Sequence, residues 1–410
     1  MNISPDFSPS IKLMKPYFLL SGFFYTLSMF WLFFLNPRAD NLDFTIVGWV
    51  HLYMLGFVMM SIFAAMAQLG PVVVETKHTN EKIFKYVWGF LATGLLFMMA
   101  GFYIDVSYLV YGGILVLLAM SIYALEFLLT LRDMKRKTSV TNAMKMSNFF
   151  LLFGIVTGLV MALGFSGILD INPHDFLNIH TYSLVVGFVV LLIMGISIIL
   201  IPMFGYSKRI SDNNFSSSFL TLSAGVIVMS LSPLFLTSYL QNIAYIMSMI
   251  AILLYFYQLK NMFISRKRVV HDIWARSMYV GYLSFITAFI LFCYYFLNTN
   301  ELILKLAMWI LLVGFFGFLI IGNFYKIIPF LVWFQVYSPL IEEQAVPMLH
   351  ELIPQREVNL QWFYSSLGLI ISSLGVLLQN DKLFFGGVLL LCIGAVIFFI
   401  SIKSILDHKN

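Results

Sequence analysis

Residues 44–74 read FTIVGWVHLYMLGFVMMSIFAAMAQLGPVVV, with no Asp, Glu, Lys or Arg and a single histidine, His51. An apolar run of roughly 20 residues is enough to cross a bilayer as an α-helix. This stretch is longer, so its ends tilt or run into the interface. Its order of residues returns further along the chain. His51 is followed by Leu52-Tyr53, Gly56 and Pro71; His180 is followed by Thr181-Tyr182, Gly187 and Pro202. The two histidines are 129 positions apart, and a further 129 positions lead to Trp309, which opens a third apolar run with Gly314 and Pro329.

The rest of the chain has the same character. Of its 410 residues 61% are apolar, 17% aromatic and only 10% charged, against about 25% charged in soluble domains. Strand-type alternation is absent, which argues against an outer-membrane barrel. The run Tyr17–Leu35 is too long for a signal peptide core and leads into Asn36-Pro37-Arg38, so it reads as a retained helix. The pattern predicts an all-α polytopic membrane protein of twelve transmembrane helices, near 17–35, 44–74, 84–104, 107–131, 148–169, 178–206, 216–237, 240–264, 276–297, 302–334, 361–379 and 383–405. Residues 1–16 form an N-terminal segment, 17–405 a single membrane domain, and 335–360 the one sizeable loop, with Pro339, Pro347, Pro354 and four glutamates.

Basic residues set the expected orientation. With twelve helices, 21 of the 24 Lys and Arg fall on the side of the N-terminus, including Lys12, Lys15, Lys77, Lys82, Lys85, Arg132, Lys135, Arg136, Lys137, Lys145, Lys208, Arg209, Arg268, Arg356 and Lys409. Arg38, Lys305 and Lys382 alone fall on the other. The positive-inside rule then places both termini and the 335–360 loop in the cytoplasm, and the chain in a bacterial inner (cytoplasmic) membrane. The 129-residue interval makes helices 2, 6 and 10 equivalent, each the second of four. The helices thus fall into three pseudo-repeats, about 17–131, 148–264 and 276–405.

The candidate site residues follow from the repeat. An ionisable group in a membrane span is a functional hypothesis by default, and imidazole ligates haem iron and copper. His51 and His180 are therefore candidate haem or metal ligands, His180 with Ser183 and Gly187 leaving room below it for a flat macrocycle. Tyr53 and Tyr182 recur beside them, placed either to bond a haem propionate or metal-bound ligand or to sit in an interfacial aromatic belt. His174, in the loop 170–175 beside Asp170 and Asp175, is a candidate further metal ligand or a solvated loop histidine. Met308 adjoins Trp309 at the third position, where a thioether could meet haem iron. Cys293 and Cys392 lie in apolar runs and read as buried small hydrophobes. Glu126 is expected at the interface end of helix 4, and Lys326 is expected to snorkel to the cytoplasmic face. His78 carries no assignment. No chain of carboxylates crosses the bilayer, which argues against a proton pump. The basic residues lie in loops and report topology, so no nucleic-acid partner is expected.

These features resemble subunit I of the haem–copper oxidases, in which twelve helices form three groups of four and a haem-ligating histidine lies near the outer end of helix 2. The segment Gly48-Trp49-Val50-His51, continuing through Gly56 to Gly70-Pro71, is similar to that helix, and His180 falls on helix 6, where the family places a copper ligand. The chain also resembles the NnrS group of haem- and copper-containing membrane proteins linked to nitric oxide stress. The resemblance implies haem, with copper as a second metal, a redox partner protein, and a role in respiration, nitric oxide response or metallocentre handling. The chain departs from the oxidases in having no histidine in helix 7, no His-x-His in helix 10, and Leu184 where a tyrosine would follow His180 by four. An oxygen-reducing binuclear centre is therefore not expected, and any enzymatic role would be that of a degenerate oxidoreductase. Two other readings stand beside this one: a transporter with a histidine-lined site, for which paired halves would be the usual repeat, and a structural subunit without cofactors.

Overall fold

A computed structural model describes residues 7–134, 137–208, 211–235, 238–267 and 271–408. Of the positions used for orientation, Lys135, Arg136, Arg209, Arg268 and Lys409 lie outside the described residues, as do 1–6 of the N-terminal segment and 236–237 at the end expected for the seventh helix.

The described residues contain no strand. Among the described residues twelve helices are long and apolar enough to cross a membrane: α1 (Ile11–Phe34), α2 (Phe44–Val74), α3 (Glu81–Tyr103), α4 (Tyr108–Arg132), α5 (Ser139–Phe165), α6 (Pro173–Gly205), α7 (Asn213–Leu231), α8 (Tyr239–Ile264), α9 (Ile273–Asn298), α10 (Glu301–Leu340), α11 (Gln355–Leu377) and α12 (Asp381–Leu406). The chain is an integral membrane protein by this measure.

Polar caps define where these helices begin. The side chains of Ser10, Asp43, Asn80, Asp272, Asn300 and Asn380 each accept a bond from a backbone N–H in the following turn, which satisfies donors that the helix itself cannot. Thr138 and Thr141 form a reciprocal capping box. Two of these caps shift a boundary. α1 starts at Ile11 rather than at 17, with Pro16 inside it, and α5 starts at Ser139 rather than at 148. In both places the polar residues that read as loop are the cap and first turns of the helix.

Three helices are set apart by burial. In its most apolar window α2 is 83% buried and α6 and α10 are each 67%, whereas none of the other nine exceeds 50%. These are the three helices that carry His51, His180 and Trp309. Each also contains a stretch of wider, i→i+5 bonded π-helix that begins just past those residues: Leu52–Met59, Tyr182–Val190 and Ile310–Phe316. Such turns are rare in helices and concentrate at functional sites.

The chain divides into two compact units, one of Met1–Ser8 with Gln68–Val270 and the other of Pro9–Ala67 with His271–Asn410. The first holds α3–α8 and the last turns of α2; the second holds α1, most of α2 and α9–α12. This division matches neither consecutive halves nor three consecutive groups of four. Within the first unit α3 and α4 meet at Gly94 and Gly112, where a Cβ on either glycine would lie about 3 Å from the other's carbonyl oxygen. Within the second, α11 and α12 meet at Gly368 and Gly387, where a Cβ on Gly368 would lie 2.8 Å from the Gly387 oxygen. Small residues at such crossings let membrane helices pack backbone to backbone.

The 335–360 segment is only partly loop. α10 runs on through a π turn, Trp333–Tyr337, and a short 3-10 turn, Ser338–Leu340, and α11 starts at Gln355. The remainder is tied down by the Trp333 indole N–H, which donates to the Pro347 carbonyl at 2.8 Å.

Candidate functional site

His180 lies four residues before Leu184 on α6, at the turn where the π stretch begins. Its Nδ1 is 2.9 Å from the backbone carbonyl of Gly154 on α5. A carbonyl oxygen can only accept, so Nδ1 carries a proton, and in the neutral ring the lone pair is on Nε2. The ring lies against Gly158, one turn further along α5: a Cβ there would sit 2.6 Å from His180 Cε1 and 2.9 Å from Nδ1. A GxxxG pair, Gly154 and Gly158, thus admits the imidazole and orients it. Gly154 also receives Leu184 and Ser183 against its bare Cα, with Leu184 carbons 2.7 Å from where a Cβ would be. The Thr157 hydroxyl donates to the same Gly154 oxygen at 2.8 Å.

The room expected below His180 is not where the spacing of Ser183 and Gly187 put it. Ser183 is buried, and the Phe150 ring of α5 closes over Gly187, within 3.0 Å of where its Cβ would lie. The space is on another side. A cavity of about 550 Å³ is lined by Phe149, Phe150, Phe153, Thr157, Phe176 and Ile179, with Ile227 and Leu231 of α7 across it. Its volume falls in the range of small-molecule and cofactor sites. Thr157 and Ile179 are the chain neighbours of Gly158 and His180, but neither Gly158 nor His180 is among the residues that line it. Phe149, Phe153 and Leu231 are each more than 40% exposed, so the cavity opens on the outer surface of this unit.

His51 is held differently. Its Nδ1 donates to the carbonyl of Val47, one turn back on α2, at 2.8 Å, so in the neutral ring the lone pair is again on Nε2. Asp43 caps this short first stretch of α2: its carboxylate accepts from the backbone N–H and the hydroxyl of Thr45. These bonds, the Thr45 hydroxyl first, hold the Asp43 carboxyl below the usual carboxylate range. His51 and His180 are each half-buried and lie in different compact units.

Tyr53 and Tyr182 use their hydroxyls on neighbouring helices. Tyr53 is fully buried and donates to the Leu312 carbonyl in the π stretch of α10 at 2.8 Å. Tyr182 donates to the Ala244 carbonyl of α8 at 3.1 Å and pairs with the Ser248 hydroxyl. The Leu312 carbonyl also accepts the i→i+5 bond from the Gly317 backbone N–H, so Tyr53 is its second donor. Trp309, at the third equivalent position, stacks on Trp49 with ring centroids 5.8 Å apart, and its indole N–H donates to the Ser372 hydroxyl at 3.2 Å. The Trp49 N–H in turn donates to the Ser28 carbonyl of α1 at 2.9 Å. The third helix therefore offers an aromatic packing contact where the first two offer imidazoles. Met308 beside it is half-buried.

His174 is exposed at the start of α6, with its ring edge on Phe165 at 5.6 Å and its backbone N–H donated to Asn172. Among the described residues no three His, Cys, Asp or Glu side chains come together in a metal-binding group. His174 is thus not gathered with His180 and a third such donor. Lys326 pairs with Asp272 at 2.6 Å. Glu126, expected at an interface, is buried, and the unassigned His78 lies against it at 2.9 Å. Sequence reasoning missed this contact, which joins a connector to a helix 48 residues on.

The chain matches no known protein family and no curated protein.

Proposed function

We propose that this protein binds haem in the membrane through His51 and His180, each acting as a single imidazole ligand, in a twelve-helix fold of three four-helix pseudo-repeats related to subunit I of the haem–copper oxidases and to the NnrS group. The observation that carries the reading is the shared setting of the two rings. Both stand at the entry to a π stretch on a strongly buried helix, and both have Nδ1 held by a backbone carbonyl. Metal-bound histidines characteristically donate their second ring N–H in this way, which fixes the tautomer and raises the basicity of the ligating nitrogen.

The donor set favours haem over copper. Copper held by protein alone needs several converging ligands, and no group of three His, Cys, Asp or Glu forms among the described residues. Haem needs one imidazole and an apolar slot, and the cavity that Ile179, the chain neighbour of His180, helps to line is largely apolar, with four phenylalanines in its walls. A bound haem would supply one-electron chemistry and a site for a diatomic ligand. The chain's own part is to orient each imidazole: Gly154 and Gly158 do so for His180, Val47 for His51. Tyr53 and Tyr182 act by tying α2 to α10 and α6 to α8, which keeps the helices that carry the histidines in register. Both termini lie in the cytoplasm and the protein sits in a bacterial inner membrane, as the basic residues indicate, in a respiratory, nitric oxide or metallocentre-handling role with a redox protein as partner.

Haem titration of the purified protein tests the reading. Wild type is expected to take up haem with an absorption change, and His51→Ala and His180→Ala each to lose part of that uptake while inserting and eluting normally. Equal uptake by wild type and the double variant refutes it.

A further inference from the structure

Arg276, in the first turn of α9, is a cation that the described residues leave without an ion pair. Its Nη2 donates to the side-chain oxygen of Asn359 near the start of α11, and its guanidinium carbon lies over the Trp362 ring, 5.2 Å from the centroid. Its Nε is buried with no hydrogen-bond partner, and so is the Trp362 indole nitrogen. A planar fork of five N–H groups is thus matched to one amide oxygen and one ring face. The acidic groups at these two helix starts do not supply the missing anion. Asp272, the cap of α9, pairs with Lys326 at 2.6 Å. Glu357 on α11 is exposed, so water screens it, and exposed Arg356 beside it adds a second positive charge.

The depth of this group is that of a lipid headgroup. α9 and α11 have 26 and 23 residues, against roughly 20 needed to cross the hydrocarbon. Arg276 lies about 5 Å along α9 and Trp362 about 10 Å along α11, where arginine and tryptophan meet the interface. The two helices come together over Gly314 of α10, where a Cβ would lie 2.6 Å from Ser284 Oγ of α9 and 3.3 Å from Leu369 Cδ2 of α11. From the Arg276 bridge, exposed apolar stripes run towards the membrane centre on both helices: Leu283, Ile286 and Ile290 on α9, and Phe363, Leu367 and Ile370 on α11. A cation at the interface above two apolar stripes is complementary to an amphiphile with an anionic head and two chains.

We propose that Arg276, with Asn359 and Trp362, forms a binding site for the phosphate group of an anionic phospholipid of the surrounding bilayer, its acyl chains lying on the exposed stripes of α9 and α11. The guanidinium fork presents N–H groups to two phosphate oxygens, while Asn359 and the Trp362 ring fix its orientation. A headgroup that carries its own ammonium brings a like charge beside Arg276 and Arg356, so a head of net negative charge is preferred. The site is separate from the haem ligands and does not depend on them.

The test uses the full-length protein in detergent, titrated with phosphatidylglycerol, with phosphatidylcholine of the same acyl chains, and with inorganic phosphate. Native mass spectrometry counts bound lipid, and thermal unfolding reads its effect on stability. Phosphatidylglycerol is expected to bind and to raise the unfolding temperature more than phosphatidylcholine, and inorganic phosphate to leave it unchanged. Arg276→Gln should weaken phosphatidylglycerol binding about tenfold or more, as expected for the loss of charge-assisted bonds. Lys12→Gln, which removes the same charge from an exposed position in the first turn of α1, should not weaken it. Unchanged phosphatidylglycerol affinity in Arg276→Gln, or an equal loss in Lys12→Gln, overturns the proposal. So does a wild type that takes both lipids alike or is stabilised as much by inorganic phosphate, results that need no variant to fold.

Discussion

Replacing Gly158 with alanine tests whether the His180 ring is held as described. The added methyl would lie 2.6 Å from Cε1 and 2.9 Å from Nδ1 of His180, against a comfortable contact of roughly 3.5–4.0 Å. The ring must retreat by about an ångström, and its bond to the Gly154 carbonyl, 2.9 Å long, cannot survive that movement. Crowding of this kind costs ~1–3 kcal/mol. The lost hydrogen bond adds about 1 kcal/mol, at the low end of its range, because the Thr157 hydroxyl still serves the Gly154 oxygen. Against this, alanine is the better helix former by about 1 kcal/mol. The net expectation is a destabilisation of about 2 kcal/mol. Thermal unfolding in detergent measures the stability, and nitrogen-15 NMR of labelled histidine follows the Nδ1-protonated ring, whose signal should be lost or broadened. A Gly158→Ala protein that gains stability, as helix propensity alone predicts, with an unchanged imidazole signal refutes the cradle.

Three further expectations follow from neighbouring contacts. Tyr53→Phe removes one of two donors to the buried Leu312 carbonyl, the Gly317 N–H remaining, and should cost about 1 kcal/mol in unfolding measurements, whereas an equal change at exposed Tyr239 should cost nothing measurable. Trp309→Ala removes both the stack on Trp49 and the bond to Ser372 and should cost ~3–5 kcal/mol, with Trp309→Phe recovering much of it. The Asp43 cap gives a pH dependence of defined sign. Its carboxyl is held below the ordinary value, so its contribution, about 1 kcal/mol, is complete above the unfolded-state value near ~3.9 and is lost as pH falls through the lower folded one. Asp43→Asn should keep the cap and remove that acid dependence, read as hydrogen exchange at the first turn of α2 across an acid titration.

How much of this was legible beforehand depends on the range of the interaction. The twelve spans were legible because bilayer crossing is a property of local composition, and α2, α6 and α10 stood out because helices buried on all sides are apolar on all sides. The start of α5 was missed because a capping box is built from polar residues that also make loops. The π stretches were not legible: LYMLGFVM and YSLVVGFVV carry no period that separates i→i+5 from i→i+4 bonding, and the wider turn depends on what packs around it. The room near His180 was misplaced because Ser183 and Gly187 mark a small-residue face, and small residues in a membrane helix as often admit a neighbouring helix, here Phe150 of α5, as a ligand. His78 was passed over because its segment is polar and reads as solvated. Only the fold brings it to Glu126.

The central claim is that His51 and His180 are oriented as ligands and not merely packed. The absorption spectrum of the protein purified from its host membrane, recorded oxidised and reduced beside His51→Ala and His180→Ala, addresses it most directly. The account predicts a Soret band in wild type that weakens in each variant and disappears when both histidines are replaced. A colourless, metal-free wild type, or a band untouched by the double replacement, contradicts it.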